Sequence, residues 1–190
     1  MQPPLACQLW NVDAVLTVSD WHKRQVADVY GIPSERICVL RNAIDPNIYS
    51  AIGAVEPEIK RSGKWLMFTS RPERGLHFLV QPGGLMDRLR VIDPEITLKV
   101  AGYDNTTNEM RPYYEQLWAR CRELPNVEIL GSLSKIDLAR HMCAAWLHVY
   151  PTQFEEVSCI TAMEEQAAGT PFIASPLAAL PETLEGGGVV

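Results

Sequence analysis

This sequence of 190 residues lacks the patterns that identify several common functions directly. Its five cysteines form no C-x-x-C pair, and its four histidines are dispersed, so we expect no metal site. It contains neither a G-x-G-x-x-G fingerprint nor a Walker A loop, which weakens dinucleotide-binding and P-loop NTPase interpretations. We therefore expect neither a metal nor an organic cofactor.

Long apolar runs and positive charge are also scarce. No run approaches the roughly 20 apolar residues of a membrane-crossing helix, and residues 1–10 lack the regions of a signal peptide. The scattered, odd-numbered cysteines fit reduced thiols, so we expect a cytoplasmic protein, at most peripheral to a membrane. The net charge of -6 argues against a nucleic-acid partner.

Short apolar runs alternate with helix-forming segments along the whole chain. Strands are predicted at residues 14–18, 37–40, 65–69, 96–102, 126–131, 146–150 and 172–175. Helices are predicted at 21–30, 75–91 in two pieces, 109–123, 135–145, 157–168 and 180–184. This alternation predicts an α/β fold with a Rossmann-like, doubly wound parallel sheet. The mixed polar stretch at 51–63 is predicted to be an interdomain linker or a surface excursion.

Residues 155–171 are the strongest functional candidate. They follow an apolar strand and hold helix formers from Val157 up to a stop signal at Gly169. The predicted helix therefore begins at the carboxyl end of a strand, where open α/β sheets bind ligands. We expect the backbone N–H groups of Val157, Ser158 and Cys159 to be free first-turn donors for a phosphate. Cys159 is not expected to be a nucleophile, because no activating His or Asp is placed beside it.

Two carboxylates bracket this predicted helix. Glu156 stands at its start and Glu164 follows eight positions later, which is about 12 Å along a helix axis. Carboxylates accept hydrogen bonds from sugar hydroxyls, so a ligand lying across the helix start could meet both. The spacing alone favours a simpler interpretation, in which Glu156 is a first-turn acid that stabilises the helix dipole and Glu164 is exposed.

A second candidate lies in the loop after the strand predicted at 65–69. Arg71 and Arg74 stand three positions apart, and each guanidinium offers a planar fork of donors that suits a diphosphate. A solvated basic turn is the alternative. His148 lies within an apolar strand and is expected to be a core histidine with satisfied hydrogen bonds rather than a ligand or a base.

The E-x7-E spacing of Glu156 and Glu164, followed by Gly169 and Pro171, resembles the motif of the retaining GT-B glycosyltransferases of family GT4. This chain lacks the Phe-Gly pair that is usual after the first glutamate of that motif. Residues 165–166, Glu-Gln, stand where Ala-Met is usual.

Two further segments resemble the same family. Arg71 and Arg74 match its basic loop, with Arg74 in place of the usual Lys. Residues 42–45 match its N-G-[IV]-D segment, with Ala43 in place of Gly. The resemblance extends over about residues 12–190 and implies a GT-B fold. It divides the chain into the end of an acceptor-binding domain (1–50), a linker (51–63) and a nucleotide-sugar-binding domain (64–190) truncated at its carboxyl end.

The resemblance also implies a reaction, in which a sugar passes from a nucleotide-diphosphate donor to an unidentified acceptor with retention of anomeric configuration. It gives catalytic roles to Glu156, Arg71 and Arg74, places the donor also against residues 157–159, and assigns the ribose to Glu164. Because most of the acceptor half is absent, we expect the isolated chain to be nearly inactive. Two alternatives stay open: a nucleotide-sugar-binding module without turnover, and a GT-B nucleotide-sugar epimerase.

Overall fold

A computed structural model of the chain describes residues 11–60, 62–102, 106–185 and 187–189. The expectations for residues 1–10, and parts of the loop predicted at 103–108 and of the turn predicted at 186–188, lie outside the described residues.

The described strands and helices follow the predicted alternation. The strands are β1 (Val15–Thr17), β2 (Ile37–Val39), β3 (Trp65–Phe68), β4 (Thr97–Ala101), β5 (Val127–Gly131), β6 (Leu147–Tyr150), β7 (Phe172–Ala174) and β8 (Gly188–Val189). The helices are α1 (Asp20–Tyr30), α2 (Asn47–Val55), α3 (Leu76–Val80), α4 (Leu85–Ile92), α5 (Arg111–Glu123), α6 (Lys135–Ala144), α7 (Ile160–Ala168) and α8 (Leu180–Thr183).

Six of these strands form one sheet in the order β5-β4-β3-β6-β7-β8, and all neighbouring pairs are parallel. The chain moves outward from β3 to β5 and then returns to the other side of β3 with β6. This reversal is a topological switch point, and in open parallel sheets the crevice beside it binds ligands. The predicted Rossmann-like parallel α/β fold is confirmed.

Both faces of the six-stranded sheet are covered. Met67 and Phe68 are neighbours on β3, so they point to opposite faces, and each is fully buried. Phe68 packs in the larger hydrophobic cluster with Leu98 and Phe172, whereas Met67 packs with Ala101 and Ala145 on the opposite face. Burial on both faces explains why the strands read as continuous apolar runs rather than alternating ones.

A smaller unit precedes this sheet. It contains the parallel pair β1-β2 and helix α1, whose N-cap Ser19 accepts a hydrogen bond from the backbone of His22. Glu182 connects the two units, because its carboxylate accepts hydrogen bonds from the backbone N–H groups of Asp20 and Trp21 at 2.9 and 3.0 Å. Arg41 also contacts the Glu182 carboxylate. The small unit is thereby held against α8.

The stretch predicted as a linker is more ordered than expected. Helix α2 extends through Val55, and a 3-10 turn follows at Pro57–Ile59. Tyr49 and Ile52 of α2 are buried in one cluster with side chains of α6 and α7. This segment therefore packs against helices α6 and α7, while the predicted domain boundaries stay a prediction. None of the described helices has the length and apolar character needed to cross a bilayer.

Candidate functional site

A cleft of about 330 Å³ opens at the switch point of the sheet. Its walls come from the loop after β3, the loop after β6 and the first turn of α7. Both sequence candidates, the basic loop and residues 155–171, therefore contribute to one site. We expected this location from the carboxyl ends of the strands.

A glycine allows the two loops to meet. Gly75 has φ +117°, and a Cβ at this position would lie 2.4 Å from the carbonyl oxygen of Pro151. Any other residue would clash with the backbone and would adopt an unfavourable φ. The close approach brings Arg74, the residue before this glycine, beside the loop that follows β6.

Arg74, Glu156 and Tyr150 form a hydrogen-bonded cluster in the cleft. Nη1 of Arg74 lies 2.7 Å from Oε1 of Glu156, and the Tyr150 hydroxyl donates to the same oxygen at 2.6 Å. The Glu156 and Arg74 side chains are 11% and 23% exposed, so water screens the pair only weakly. Burial, followed by the hydrogen bond to Glu156, raises the pKa of Tyr150. The phenol is therefore a neutral donor at physiological pH.

An aromatic ring fixes the arginine from the other side. The guanidinium carbon of Arg74 lies 3.8 Å from the centre of the Phe154 ring, within the range of a cation–π contact. The loop that carries Phe154 is itself anchored, since its backbone N–H donates to the buried Thr152 hydroxyl at 3.0 Å. Arg74 is therefore held in one orientation before any ligand arrives.

Helix α7 begins later than expected. It starts at Ile160 with Cys159 as its N-cap, so Val157 and Ser158 lie in the preceding loop. The prediction that residues 157–159 supply the first-turn N–H groups is wrong; those groups belong to Ile160 and the two residues after it. Burial raises the pKa of the Cys159 thiol to about 12, which makes it a poor nucleophile.

The two other predicted ligand residues lie outside this cleft. Arg71 is exposed, and its Nη1 lies 3.9 Å from a Glu73 carboxylate oxygen. Glu164 is half-buried and faces α2, where burial, followed by interaction with the Glu164 carboxylate, raises the pKa of Tyr49. Neither side chain lines the cleft that holds Arg74. Their roles in binding stay predictions.

A second cleft of about 320 Å³ adjoins the first at the carboxyl ends of β4 and β5. Gly102 and Leu133 line it, and it shares Thr69 and Thr161 with the first cleft. The hydroxyl oxygens of Thr69 and Ser158 are buried without a hydrogen-bond partner among the described residues. Unpartnered buried hydroxyls are unfavourable, so these groups are available for a ligand.

Sequence reasoning missed Tyr150 and Phe154 as parts of the site. A signal existed, because both aromatic residues flank the turn between β6 and the predicted glutamate. The described part of the chain contains no group of three or more His, Cys, Asp or Glu residues placed to hold a metal ion.

The family described as Glycosyl transferases group 1 matches residues 63–190, which include every element of the cleft. The chain belongs to this family. It is 26% identical over 187 residues to an uncharacterized glycosyltransferase of Methanocaldococcus jannaschii, covering 90% of this chain and 44% of that protein. The predicted donor-site residues all lie within the matched range, residues 63–190.

Solved structures share the fold. HepE of Anabaena, in complex with UDP and glucose, superimposes with a TM-score of 0.71 at 21% identity, covering 94% of this chain and 49% of HepE. A glycosyltransferase of Rickettsia africae superimposes with a TM-score of 0.75 at 16% identity, covering 98% and 52%. This group 1 chain thus spans about half the length of the proteins that it matches.

Proposed function

We propose that the protein transfers a sugar from a nucleotide-diphosphate donor to an acceptor, with retention of anomeric configuration, as in family GT4. In this proposal the chain supplies the donor-binding half. The observation that carries it is the meeting of Arg74 and Glu156 at the switch point, beside the start of α7. Membership of the glycosyl transferases group 1 family supports the reaction class. HepE, which shares the fold, was solved with UDP and with UDP-glucose.

The diphosphate would bind between Arg74 and the N-terminus of α7. A guanidinium has five N–H donors, and the Arg74 side chain gives one hydrogen bond to Glu156, so donors remain for phosphate oxygens. The first-turn N–H groups of α7 and the positive end of its dipole attract the same anion. Negative charge grows on the diphosphate as it leaves, and groups already fixed in position stabilise that charge most effectively.

The sugar would bind against Glu156. Its Oε1 already accepts hydrogen bonds from Arg74 and Tyr150, while its Oε2 accepts none from the described residues. Oε2 can therefore accept a hydrogen bond from a sugar hydroxyl without breaking the cluster. Arg74 and Glu156 would then hold neighbouring groups of the donor, the diphosphate and the sugar.

The nucleoside would extend into the second cleft at the ends of β4 and β5. We retain Glu164 as the proposed ribose acceptor and Arg71 as a proposed phosphate contact. Glu164 would have to exchange its contact with Tyr49 for a ribose hydroxyl. Arg71 is exposed and separated from the cleft, so a bound ligand would have to draw its side chain inward.

Calorimetric titration with UDP tests the phosphate assignment. Arg74→Ala should weaken UDP binding at least tenfold, because a hydrogen bond to a charged group contributes about 1.5–3 kcal/mol. Arg90→Ala is the matched control, since Arg90 is exposed on α4 and lines neither cleft. Equal affinities of the parent, Arg74→Ala and Arg90→Ala would overturn the assignment.

Product analysis on a protein that contains both halves of the fold separates the proposed transferase from the two alternatives. A retaining transferase releases free nucleoside diphosphate and a glycoside whose anomeric configuration matches that of the donor. An epimerase returns an altered sugar, and a binding module leaves the donor unchanged. The isolated chain is expected to bind the donor but to transfer little, because domain closure assembles such sites and excludes water.

A further inference from the structure

A buried ionisable pair lies at the inner wall of the Arg74 cleft. Nδ1 of His148 on β6 and Oε1 of Glu165 on α7 are 2.8 Å apart, and the two side chains are 1% and 0% exposed. The His148 ring also stacks on Phe172, with ring centres 4.4 Å apart and planes 7° from parallel. His148 is buried and hydrogen-bonded through Nδ1, as expected of a core histidine, but its partner is an acid.

Joining a helix to a sheet through a buried carboxyl group is energetically unfavourable. Burial of an ionised group is unfavourable unless its partners compensate for the lost hydration, and apolar pairs of similar volume are often as stable. Oε2 of Glu165 has no hydrogen-bond partner among the described residues, so the compensation rests on His148.

The imidazole is also placed to contact a ligand. His148 lines the Arg74 cleft together with Thr161 and Phe172. Its Nδ1 is engaged by Glu165, and its ring face is covered by Phe172. Nε2 makes no hydrogen bond to the described residues, so it remains the one ring nitrogen available to the cleft.

We propose that His148 is a further donor-site residue, held by Glu165 through Nδ1, whose Nε2 donates a hydrogen bond to a phosphate oxygen of a bound nucleoside diphosphate. Glu165 is then a positioning residue, because it fixes the orientation of the ring through Nδ1. The leaving diphosphate then meets nitrogen donors from both Arg74 and His148. This inference rests on the proposed donor site and adds a residue to it.

Nitrogen NMR of the imidazole rings tests the contact directly. The chain has four histidines, so the spectrum of ¹⁵N-histidine-labelled protein is simple, and His148→Asn identifies the signal of interest. UDP and inorganic pyrophosphate should each shift the Nε2 signal of His148, whereas uridine should leave it in place. A shift with uridine, or with a nucleotide sugar alone, would contradict a phosphate contact.

Binding measurements separate this role from simple packing. His148→Phe keeps an aromatic ring against Phe172 and should weaken UDP binding about tenfold, as expected for loss of a charged hydrogen bond. Glu165→Gln keeps the side-chain volume and should weaken binding severalfold. If Glu165 acts through the imidazole, adding Glu165→Gln to His148→Phe should have no further effect on affinity.

The outcomes distinguish the two proposals. Suppose that UDP binding depends on Arg74, but UDP does not shift the His148 signal and His148→Phe binds UDP as tightly as the parent. The pair then only joins α7 to β6, and this inference is overturned while the proposed donor site survives. If the parent chain binds neither UDP nor pyrophosphate, both proposals are wrong. Thermal melting of each variant shows whether an altered affinity reflects lost folding.

Discussion

Glu156→Gln removes one charge from the centre of the cleft with little change of shape. The amide oxygen can still accept the Tyr150 hydroxyl, but the ion pair with Arg74 at 2.7 Å is lost. Because the pair is largely buried, we expect a loss of about 1.5–2 kcal/mol from the free energy of unfolding. For a chain of this size that corresponds to a melting temperature lowered by about 3–8 °C.

The ligands should respond differently to this change. UDP lacks the sugar, so its affinity should stay within about twofold or rise, since Arg74 is released from Glu156. A UDP-sugar should bind about tenfold more weakly or worse, because the proposed hydrogen bond to a charged acceptor is lost. Both affinities can be measured by calorimetry on the same protein preparation.

Glu155→Gln is the control for this experiment. It removes the same charge one position earlier, but Glu155 is exposed and its Oε2 lies 3.4 Å from Nε2 of Gln25. This variant should change neither ligand's affinity. Equal losses for UDP and UDP-sugar in Glu156→Gln, or equal behaviour of the two variants, would refute the assignment of the sugar to Glu156.

Three further results are expected. Tyr150→Phe removes a donor to the Glu156 carboxylate and should lower the unfolding free energy by about 1.5–3 kcal/mol in denaturant titrations; an unchanged midpoint would contradict this. Burial acts to raise the pKa of Glu182, but hydrogen bonds from the α1 backbone and from Arg41 outweigh it and lower that pKa. A carboxyl group with a lowered pKa stabilises the fold at pH values above its pKa in the unfolded chain, and this stabilisation is lost as the pH falls through its pKa in the folded protein. When the free energy of unfolding is measured from pH 7 downward, it should therefore decrease less in Glu182→Gln than in the parent. Cys159, whose pKa is raised to about 12, should resist alkylation at pH 8 in mass-spectrometric mapping; rapid labelling would show that the thiol is accessible and ionised.

The sheet was predictable because local signals agree with the fold. The strands buried on both faces are apolar runs, and Gly31 and Gly169 end α1 and α7 in the left-handed conformation that favours glycine. The parallel direction of the strands followed from the regular alternation of strands and helices along the chain. The basic loop and Glu156 could be placed at one edge, because each follows a strand of a parallel sheet.

Other features depend on contacts between distant residues. No local sequence signal predicts that residues 157–159 lie outside the helix. They form a loop because this loop must bring Glu156 to Arg74, which is 82 positions away in sequence. The orientation of Glu164 depends on Tyr49, and the order of the predicted linker depends on packing of α2 against α6 and α7. Such tertiary contacts override local propensity and cannot be read from spacing.

A crystal structure of this chain with a bound UDP-sugar tests the central claim most directly. The account predicts a diphosphate between the Arg74 guanidinium and the N-terminus of α7, with a sugar hydroxyl in hydrogen-bond contact with Oε2 of Glu156. A nucleotide sugar bound away from the switch point, or one whose diphosphate contacts neither Arg74 nor α7, would contradict it.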